Sequence, residues 1–517
     1  QEPMTSLNPV FSIGKQIQEV LHVHFKIREK EGKERVLSLL NEVGLLKPTS
    51  LYNAYPHQLS GGMKQRVMIA MALAGEPDLL IADEPTTALD VTTQAQILAL
   101  LKTLQEKNNM SILFITHDMQ VVKKMADRVG VMYAGQLVEI AEREAFLSDP
   151  KHPYSKKLFS SLPTIQKRST FLTVIPGKVP DLTHKIEGCR FANRCQFAWD
   201  TCNRVVPDLL PYNNYFVRCH LYTDLGQTRE LPKLATPEVI SMNEKVVKNS
   251  DKTILSIKDL NIHFPIQKGL FKRTVGWIKA VDGVSLDLRE GKTLALVGES
   301  GSGKTTLAKG ILHLLQPTSG SMYIEGKDVF YLPDRDVKSF RHHTQIVFQD
   351  PFSAMDPRML VGDIIAEGMK ALDIGKNKAQ RFERVEELLH QVGLPVDSIH
   401  RYPHEFSGGQ RQRICIARTL AVEPKVIVCD EPTSALDVSV QAQILNLLKK
   451  LQIESGLTYL FITHNLAVVS YLADDIAVMH QGKIVEYGPA EKILKTPQHV
   501  YTKLLLQAAM NEVSRVD

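Results

Sequence analysis

Residues 298–306 read GESGSGKTT and match the pattern G-x-x-x-x-G-K-[ST], with Lys304 and Thr305 at its last two positions. The stretch follows an apolar, strand-like segment, TLALV at 293–297, and precedes a helical pattern at 306–315. Glycines let backbone N–H groups approach phosphate oxygens, and the following helix adds the partial positive charge of its N-terminus. The stretch therefore predicts an α/β fold whose phosphate-binding loop consists of Gly298, Glu299, Ser300, Gly301, Ser302, Gly303, Lys304, Thr305 and Thr306.

Two carboxylates end a second apolar segment, VIVCDE at 426–431. We expect Lys304 to reach the β and γ phosphates of ATP, and the Thr305 hydroxyl to bind Mg²⁺ together with Asp430. Glu431 is placed to polarise the water that attacks the γ phosphate. Two acids at the end of a strand are often only solvated. Because the chain also contains a phosphate-binding loop, we favour a role for Asp430 and Glu431 in the nucleotide site.

Two further polar residues follow apolar segments. His464 closes LFITH and Gln349 follows IVF. A histidine at a strand end can contact the γ phosphate and orient water, and Gln349 could sense Mg²⁺ or the attacking water. The magnesium ligands predicted from the sequence are Thr305, Gln349 and Asp430.

The segment FSGGQRQR places Ser407, Gly408 and Gly409 directly before a helix-forming stretch. A serine hydroxyl and free backbone N–H groups at that position can cap the helix and face an anion. Alone, the segment would be an ordinary helix cap. Its second occurrence in the chain, again just before a D-E-P-T segment, favours a role in binding an anion.

An internal repeat relates the two halves of the chain. Ser60 and Ser407 stand 347 positions apart, as do the D-E-P-T segments and the residues that end the two F-I-T-H segments. Gln1 and Gln349 differ by 348. The residues equivalent to those of the second copy are Gln1, Glu84 and His117, with Ser60, Gly61 and Gly62 in the capped segment.

The first copy has no phosphate-binding loop ahead of Gln1. We therefore expect it to begin in mid-domain, as a fragment would. A half-domain that stands alone is the alternative, and it would leave core strands without their neighbours.

These motifs, in this order, resemble those of the ATP-binding subunits of ABC transporters. The resemblance covers nearly the whole chain, although the first copy departs from it with SGGM at Met63. It implies two P-loop ATPase domains, each a RecA-like core with a helical subdomain, that pair head to tail. One ATP would then lie between the phosphate-binding loop of the second copy and Ser60–Gly62 of the first. The mirror site would combine Gln1, Asp83, Glu84 and His117 with Ser407, Gly408 and Gly409.

Several segments narrow the resemblance. FQDPFSAMDPR at 348–358, YPHEFSGGQRQRI at 402–414 and HPYSKKL at 152–158 resemble the ATPases of dipeptide and oligopeptide importers, a group that also serves nickel, glutathione and microcin-like peptides. Two copies in one chain are similar to the fused double-ATPase form of that group. An aromatic residue ahead of the phosphate-binding loop stacks on the base in this family, which implies Phe264 or Trp277, although either could belong to the core.

Four cysteines follow the first copy, with the spacing C-x5-C-x6-C-x16-C. Four thiolates in a short module can fold around a metal. Similar modules in peptide importers hold a [4Fe–4S] cluster, which is the interpretation we favour. The spacing has no C-x2-C knuckle, which weakens the zinc alternative, and a reducing cytosol disfavours disulfides. The predicted ligands are Cys189, Cys195, Cys202 and Cys219, whereas Cys415 and Cys429 lie in apolar runs and are predicted to be packing residues.

The sequence thus predicts four regions. They are a truncated first ATPase domain at 1–160, a Cys-rich module at 161–220, a linker at 221–250 and a complete second ATPase domain at 251–517. The segments from Asn8 to about Gly44 and from Asp356 to about Gly393 have helical patterns. We expect them to contact permease subunits.

Composition bounds the remaining possibilities. A net charge of +5 in 517 residues gives little support to nucleic-acid binding. No apolar run approaches the roughly 18 residues of a membrane span, so transport would need two membrane-spanning permease subunits as partners. The family further implies an external solute-binding protein and a peripheral location on the cytoplasmic face of the inner membrane. A tandem ABC protein of translation or DNA repair is the alternative, but neither a long charged linker nor zinc knuckles inside the domains are visible.

Overall fold

A computed structural model of the protein describes residues 3–86, 89–227, 252–268, 273–330, 332–434 and 436–510. Its α-helices are α1 Pro3–Ser6, α2 Ile13–Phe25, α3 Glu29–Glu42, α4 Pro48–Tyr52, α5 Gly61–Leu73, α6 Val91–Asn108, α7 Met119–Met125, α8 Arg143–Ser148, α9 Pro153–Ser160, α10 Asp200–Arg204, α11 Asp224–Gln227, α12 Lys304–Ile311, α13 Asp334–His343, α14 Val361–Ala371, α15 Lys378–Gln391, α16 Gly408–Leu420, α17 Val438–Ser455, α18 Leu466–Leu472, α19 Ala490–Lys495 and α20 Val500–Met510.

The strands are β1 Leu79–Asp83, β2 Ser111–Ile115, β3 Arg128–Tyr133, β4 Gln136–Glu142, β5 Leu210–Tyr212, β6 Tyr215–Val217, β7 Thr253–Lys268, β8 Arg273–Arg289, β9 Thr293–Val297, β10 Ser319–Ile324, β11 Lys327–Asp328, β12 Thr344–Val347, β13 Val426–Asp430, β14 Thr458–Ile462, β15 Asp475–His480 and β16 Lys483–Pro489. Contacts group the chain into two compact units. The first comprises 1–130, 140–150 and 213–216, and the second comprises the remainder.

The second unit is built on a six-stranded sheet in the order β12-β13-β14-β9-β15-β16. The first five strands are parallel and β16 is antiparallel. Strands β9, β13 and β14 are buried along their whole length, which explains why their sequences are continuous apolar runs. Parallel strands bring their carboxyl ends to one edge, so the phosphate-binding loop after β9 lies at the same edge as the carboxylates that end β13.

Further elements of the second unit complete the predicted architecture. A four-stranded antiparallel sheet has the order β11-β10-β7-β8. Helices α14, α15 and α16 pack together in a cluster that includes Ile365, Leu388 and Ile416. The helical patterns predicted from Asn8 to about Gly44 and from Asp356 to about Gly393 are confirmed, because the first segment contains α2 and α3 and the second contains α14 and α15. Cys415 and Cys429 are buried among core residues, as predicted.

A short segment of the second unit, 168–172, lies against α17 and α18. The backbone N–H and C=O of Leu172 each form a 2.8 Å hydrogen bond with the side-chain amide of Asn446. The Tyr471 hydroxyl donates to the carbonyl of Thr170 at 3.0 Å, and the ammonium of Lys449 donates to the carbonyl of Arg168.

The first unit contains a parallel pair, β1 and β2, packed against α2, α3, α5 and α6. One face of this pair is exposed, with Leu79, Ile81, Leu113 and Ile115 between 46% and 60% accessible. The residues 347 positions later are buried against α12 in the second unit. Both copies therefore contain these strands. Within the described residues, only the second copy has a helix that covers this face of them.

A four-stranded sheet in the order β3-β4-β6-β5 accompanies the Cys-rich segment. The predicted domain boundaries stay a prediction. Within the predicted linker, helix α11 spans Asp224–Gln227, and residues 228–250 lie outside the described residues.

Candidate functional site

The phosphate-binding loop joins β9 to α12. A Cβ at Gly298 would lie 2.2 Å from the carbonyl oxygen of Met479, and one at Gly303 would lie 2.1 Å from that of Ala280. The φ of Gly303 is 108°, which also favours glycine. The motif's glycines are therefore required by close backbone contacts as well as by the phosphate.

The side chain of Lys304 is held at the start of α12. Its ammonium donates to the carbonyl oxygens of Gly298 and Glu299, both at 2.7 Å. Each of these two carbonyls accepts an N–H of the ammonium, so they fix its position at the start of α12. The predicted role of Lys304 is compatible with this arrangement.

Thr305 and Asp430 lie together as predicted for magnesium ligands. The Thr305 hydroxyl is 3.5 Å from Oδ1 of Asp430. Burial, and then the charge of Glu431, raises the pKa of Asp430 above its ordinary value. A hydroxyl and a carboxylate are the hard oxygen ligands that suit Mg²⁺, and a bound cation would favour the ionised carboxylate.

Glu431 is held by both other predicted catalytic residues. His464 Nδ1 lies 3.0 Å from its Oε1, and the Gln349 side-chain amide donates to its Oε2 at 3.0 Å. Burial raises the pKa of Glu431, but the hydrogen bond with His464 and the charges of His464 and Lys304 outweigh it, so the pKa lies below its ordinary value. Because an ionised carboxylate only accepts, the ring donates through Nδ1–H. The carboxylate is thus oriented, ionised and still able to accept a proton.

The backbone of Glu431 is left-handed, with φ 47°. Its N–H donates to the carbonyl of Ile462 at 2.9 Å, which continues the β13–β14 ladder beyond the last strand residue. Glu84 repeats this arrangement, with φ 43° and a 2.9 Å bond to Ile115. A non-glycine residue is rare in this region, so the repeated conformation indicates that the direction of the side chain matters.

The first copy repeats the acid–histidine pair. His117 Nδ1 lies 2.9 Å from Oε1 of Glu84. Gln1, the third predicted catalytic residue of this copy, lies outside the described residues. The structure therefore brings together two of the three residues predicted for the first copy.

The two serine-glycine segments begin helices α5 and α16. In the second copy, the Gln410 N–H donates to the Ser407 hydroxyl at 3.4 Å, and the Ser407 N–H donates to the Gln410 side chain at 3.0 Å. In the first copy, the Met63 N–H donates to Ser60 at 3.4 Å, and methionine has no oxygen for a reciprocal bond. The departure at Met63 therefore replaces a capping box by a single cap.

Two aspartates that the sequence analysis did not single out cap the helices that follow next in the chain, α6 and α17. Asp437 caps α17 by accepting from Val440 N–H at 3.0 Å, and Asp90 caps α6 by accepting from Thr93 N–H at 2.9 Å. We call residues 60–62 and 407–409 the signature loops. A Cβ at Gly409 would lie 2.3 Å from Val440 Cγ1, so α17 packs directly on this glycine of the second signature loop. The 347-residue repeat could have revealed both aspartates, since they stand at that spacing.

The two aromatic candidates for base stacking lie on β7 and β8. Trp277 is 57% exposed and Phe264 is 38% exposed. Neither is buried, so the core alternative is wrong for both. Either side chain is accessible to a base.

The four clustered cysteines line one small cavity. Its walls also include His152, Phe191, Trp199 and His220. Burial raises the pKa of Cys195 to about 11 and that of Cys219 to about 12. No group of three or more His, Cys, Asp or Glu side chains in the described ranges is arranged to hold a metal ion. The sulfur donors fit iron or zinc chemically, but their present arrangement is not a coordination sphere.

None of the helices that the structure describes has the length and apolar character of a membrane span.

Two family models match the chain. The model described as "ABC transporter" matches residues 4–87 and 281–434, and the model described as "Oligopeptide/dipeptide transporter, C-terminal region" matches 138–202 and 485–516. These matches cover both copies, including the Cys-rich segment as far as Cys202.

Similarity to named proteins over nearly the whole of this chain agrees with these matches. The chain is 44% identical to the oligopeptide transport ATP-binding protein OppD of Mycobacterium tuberculosis over 511 residues, which are 98% of this chain and 83% of OppD. It is 43% identical to the peptidoglycan transport ATP-binding protein YejF of Agrobacterium fabrum, covering 99% of this chain and 79% of YejF. It is 42% identical to the glutathione import ATP-binding protein GsiA of Escherichia coli K12, covering 98% of this chain and 73% of GsiA. The chain therefore belongs to the ATP-hydrolysing ABC transporter proteins, in the branch that carries the oligopeptide/dipeptide transporter C-terminal region.

Proposed function

We propose that the chain is the ATP-hydrolysing subunit of an importer that takes up oligopeptides or related small solutes. The observation that carries this proposal is the oriented Glu431, held by His464 and Gln349 at the sheet edge that also carries Lys304. The names of the relatives support peptides and glutathione as the class of cargo.

The residues divide the work of hydrolysis. Lys304 binds the β and γ phosphates. Thr305 and Asp430 would hold Mg²⁺, which would neutralise charge at the phosphates. Glu431 accepts a proton from the attacking water, because it is ionised and its two oxygens are fixed by neighbouring donors. His464 orients Glu431 and offers its second ring nitrogen to the γ phosphate or the water.

The two copies pair head to tail, so that each site takes its signature loop from the other copy. Ser60, Gly61 and Gly62 then complete the site at Lys304. Ser407, Gly408 and Gly409 face the site that contains Glu84 and His117. Family membership supports this pairing.

Partner subunits complete the transporter. Two permeases would contact the segments that contain α2 and α3 in one copy and α14 and α15 in the other. The first of these segments exposes Val10 and Phe11 at 71% and 49%. The chain would lie on the cytoplasmic face of the inner membrane and act with an external solute-binding protein.

The purified 517-residue chain tests the proposal. It should hydrolyse MgATP, and Lys304→Ala should abolish nucleotide binding. Lys327→Ala, which changes an exposed lysine of the same domain, should leave hydrolysis intact. Absence of MgATP hydrolysis by the chain, alone and with its permeases, would contradict the proposal.

The proposal extends to a [4Fe–4S] cluster held by Cys189, Cys195, Cys202 and Cys219, with Zn²⁺ as the alternative. The shared cavity and the match to the C-terminal family model support it. Anaerobically purified protein should be brown and contain iron, and Cys202→Ser should remove the iron while Cys415→Ser retains it. Colourless protein with zinc would establish the alternative, and protein with neither metal would exclude both.

A further inference from the structure

The C-terminal helix α20 is tied to the second domain at its first turn. The two carboxylate oxygens of Glu486 accept from the N–H groups of Gln498 at 2.9 Å and His499 at 3.1 Å. His499 Nδ1 then accepts from the Tyr501 N–H at 3.1 Å and caps the helix. These bonds fix the helix start, and therefore Tyr501, relative to strand β16.

The same helix packs on the strand that carries the phosphate-binding loop. Leu505 and Leu506 are 5% and 4% exposed and belong to one cluster with Ala295 and Val297 of β9. The helix is therefore part of the domain core beside the loop.

Tyr501 contacts the phosphate-binding loop itself. Its hydroxyl accepts from the N–H of Glu299 at 3.0 Å, and its ring stacks on His480 at 4.0 Å between centroids. That N–H belongs to the same planar peptide unit as the carbonyl of Gly298, which accepts from Lys304 at 2.7 Å. Tyr501 and Lys304 thus hold one rigid peptide from its two ends.

We propose that Tyr501 is a positioning residue for nucleotide binding, which acts on Lys304 through the Gly298–Glu299 peptide. Without the hydroxyl, this peptide can rotate and the Lys304 ammonium loses one of the two carbonyls that aim it. The inference rests on the proposed ATPase function and assigns a role to the tyrosine of the H-x-Y segment at 499–501.

Tyr501→Phe removes the hydroxyl and keeps the ring. A neutral hydrogen bond of ordinary strength corresponds to roughly a 3- to 10-fold change in affinity. We therefore expect the Kd for MgATP and the KM for ATP to increase by that factor, with kcat within about twofold of the wild type. Affinity for adenosine, which lacks phosphates, should stay unchanged.

Tyr487→Phe is the matched control. Its hydroxyl also bonds to the backbone of the same domain, donating to Asp287 at 3.0 Å, but away from the phosphate-binding loop. Both variants should lose similar thermal stability, and only Tyr501→Phe should lose affinity for MgATP.

The outcomes separate the two proposals. Wild-type protein that binds no MgATP would contradict the ATPase function. Wild-type protein that binds MgATP, with Tyr501→Phe binding it equally well or no worse than Tyr487→Phe, would overturn the positioning role.

Discussion

His464 Nδ1 lies 3.0 Å from Glu431 Oε1, and this contact joins the carboxyl ends of two neighbouring strands. Strand β13 ends at Asp430 and β14 ends at Ile462, and their register places the two side chains beside each other. The same pair recurs at 2.9 Å between His117 and Glu84. The proposed base, Glu431, and the histidine that orients it are therefore positioned by sheet geometry.

Replacing Glu431 by Gln should uncouple binding from hydrolysis. The amide keeps the shape of the side chain but cannot accept the proton, so we expect kcat to fall by roughly 10²- to 10⁴-fold. MgATP affinity should stay within a few-fold, because Lys304 is unchanged. Steady-state hydrolysis and equilibrium binding measure the two effects. Exposed Glu423→Gln is the control, and hydrolysis by Glu431→Gln within tenfold of the wild type would exclude Glu431 as the base.

The missing half of the first capping box can be restored. Met63→Gln should allow the side chain to accept from the Ser60 N–H, as Gln410 does for Ser407. We expect a gain of about 0.5–1 kcal/mol in the free energy of unfolding, and a loss of similar size for Gln410→Met. Urea unfolding monitored by circular dichroism measures both. Opposite signs are required, and a loss in both variants would mean that the cap is not what distinguishes the helices.

The two signature glycines of the second copy should differ in their tolerance of alanine. A Cβ at Gly409 would meet Val440 Cγ1 at 2.3 Å, whereas one at Gly408 would lie 3.8 Å from Leu436 Cδ2. Gly409→Ala should lower stability by about 1–3 kcal/mol, and Gly408→Ala by much less. Val440→Ala should rescue part of the first loss when the two are combined. Thermal unfolding decides, and equal losses at the two glycines would refute the steric explanation.

Lys449 should make stability depend on pH. Burial, and then the charge of Arg168, lowers the pKa of Lys449 to about 8. In the unfolded chain a lysine titrates near roughly pH 10.4, so between about 8 and 10.4 the unfolded state binds more protons. Stability contributed at this position therefore rises with pH across that window, and below it the full cost of burying the charge is present.

Lys449→Met removes this titration. The difference in unfolding free energy between the wild type and the variant should shift in favour of the wild type between pH 8 and 10, as measured by urea titrations at each pH. The surface variant Lys450→Met should show no such shift. A difference independent of pH would show that the Lys449 ammonium titrates normally.

Most residues of the candidate site could be predicted from local sequence motifs. The phosphate-binding loop, the paired carboxylates and the serine caps were predictable, because each depends on residues within one strand, loop or helix start. The 347-residue repeat then located Glu84, His117 and Ser60. In the structure Glu84 and His117 lie in contact and Ser60 caps α5, whereas Gln1 is outside the described residues.

Long-range contacts were not predictable. Tyr501 is hydrogen-bonded to Glu299, 202 positions away in the sequence, and Asn446 is hydrogen-bonded to Leu172, 274 positions away. No periodicity encodes such pairs, since they depend on how separate elements pack. The exposure of Ile81 and Ile115 could likewise not be predicted, because the sequence of an apolar strand does not show whether a helix covers it.

Because the backbone of Glu431 is left-handed, we expect replacements at this position that increase thermal stability to decrease activity. Glycine, or asparagine with its short polar side chain, adopts this conformation at lower cost than glutamate. A screen for heat resistance alone would therefore favour exchanging Glu431, the proposed general base, for one of these residues, and we expect the selected protein to be folded but inactive. Variants bred for durability need a hydrolysis assay beside the melting curve, because at this position improvement in one measurement is expected to erase the other.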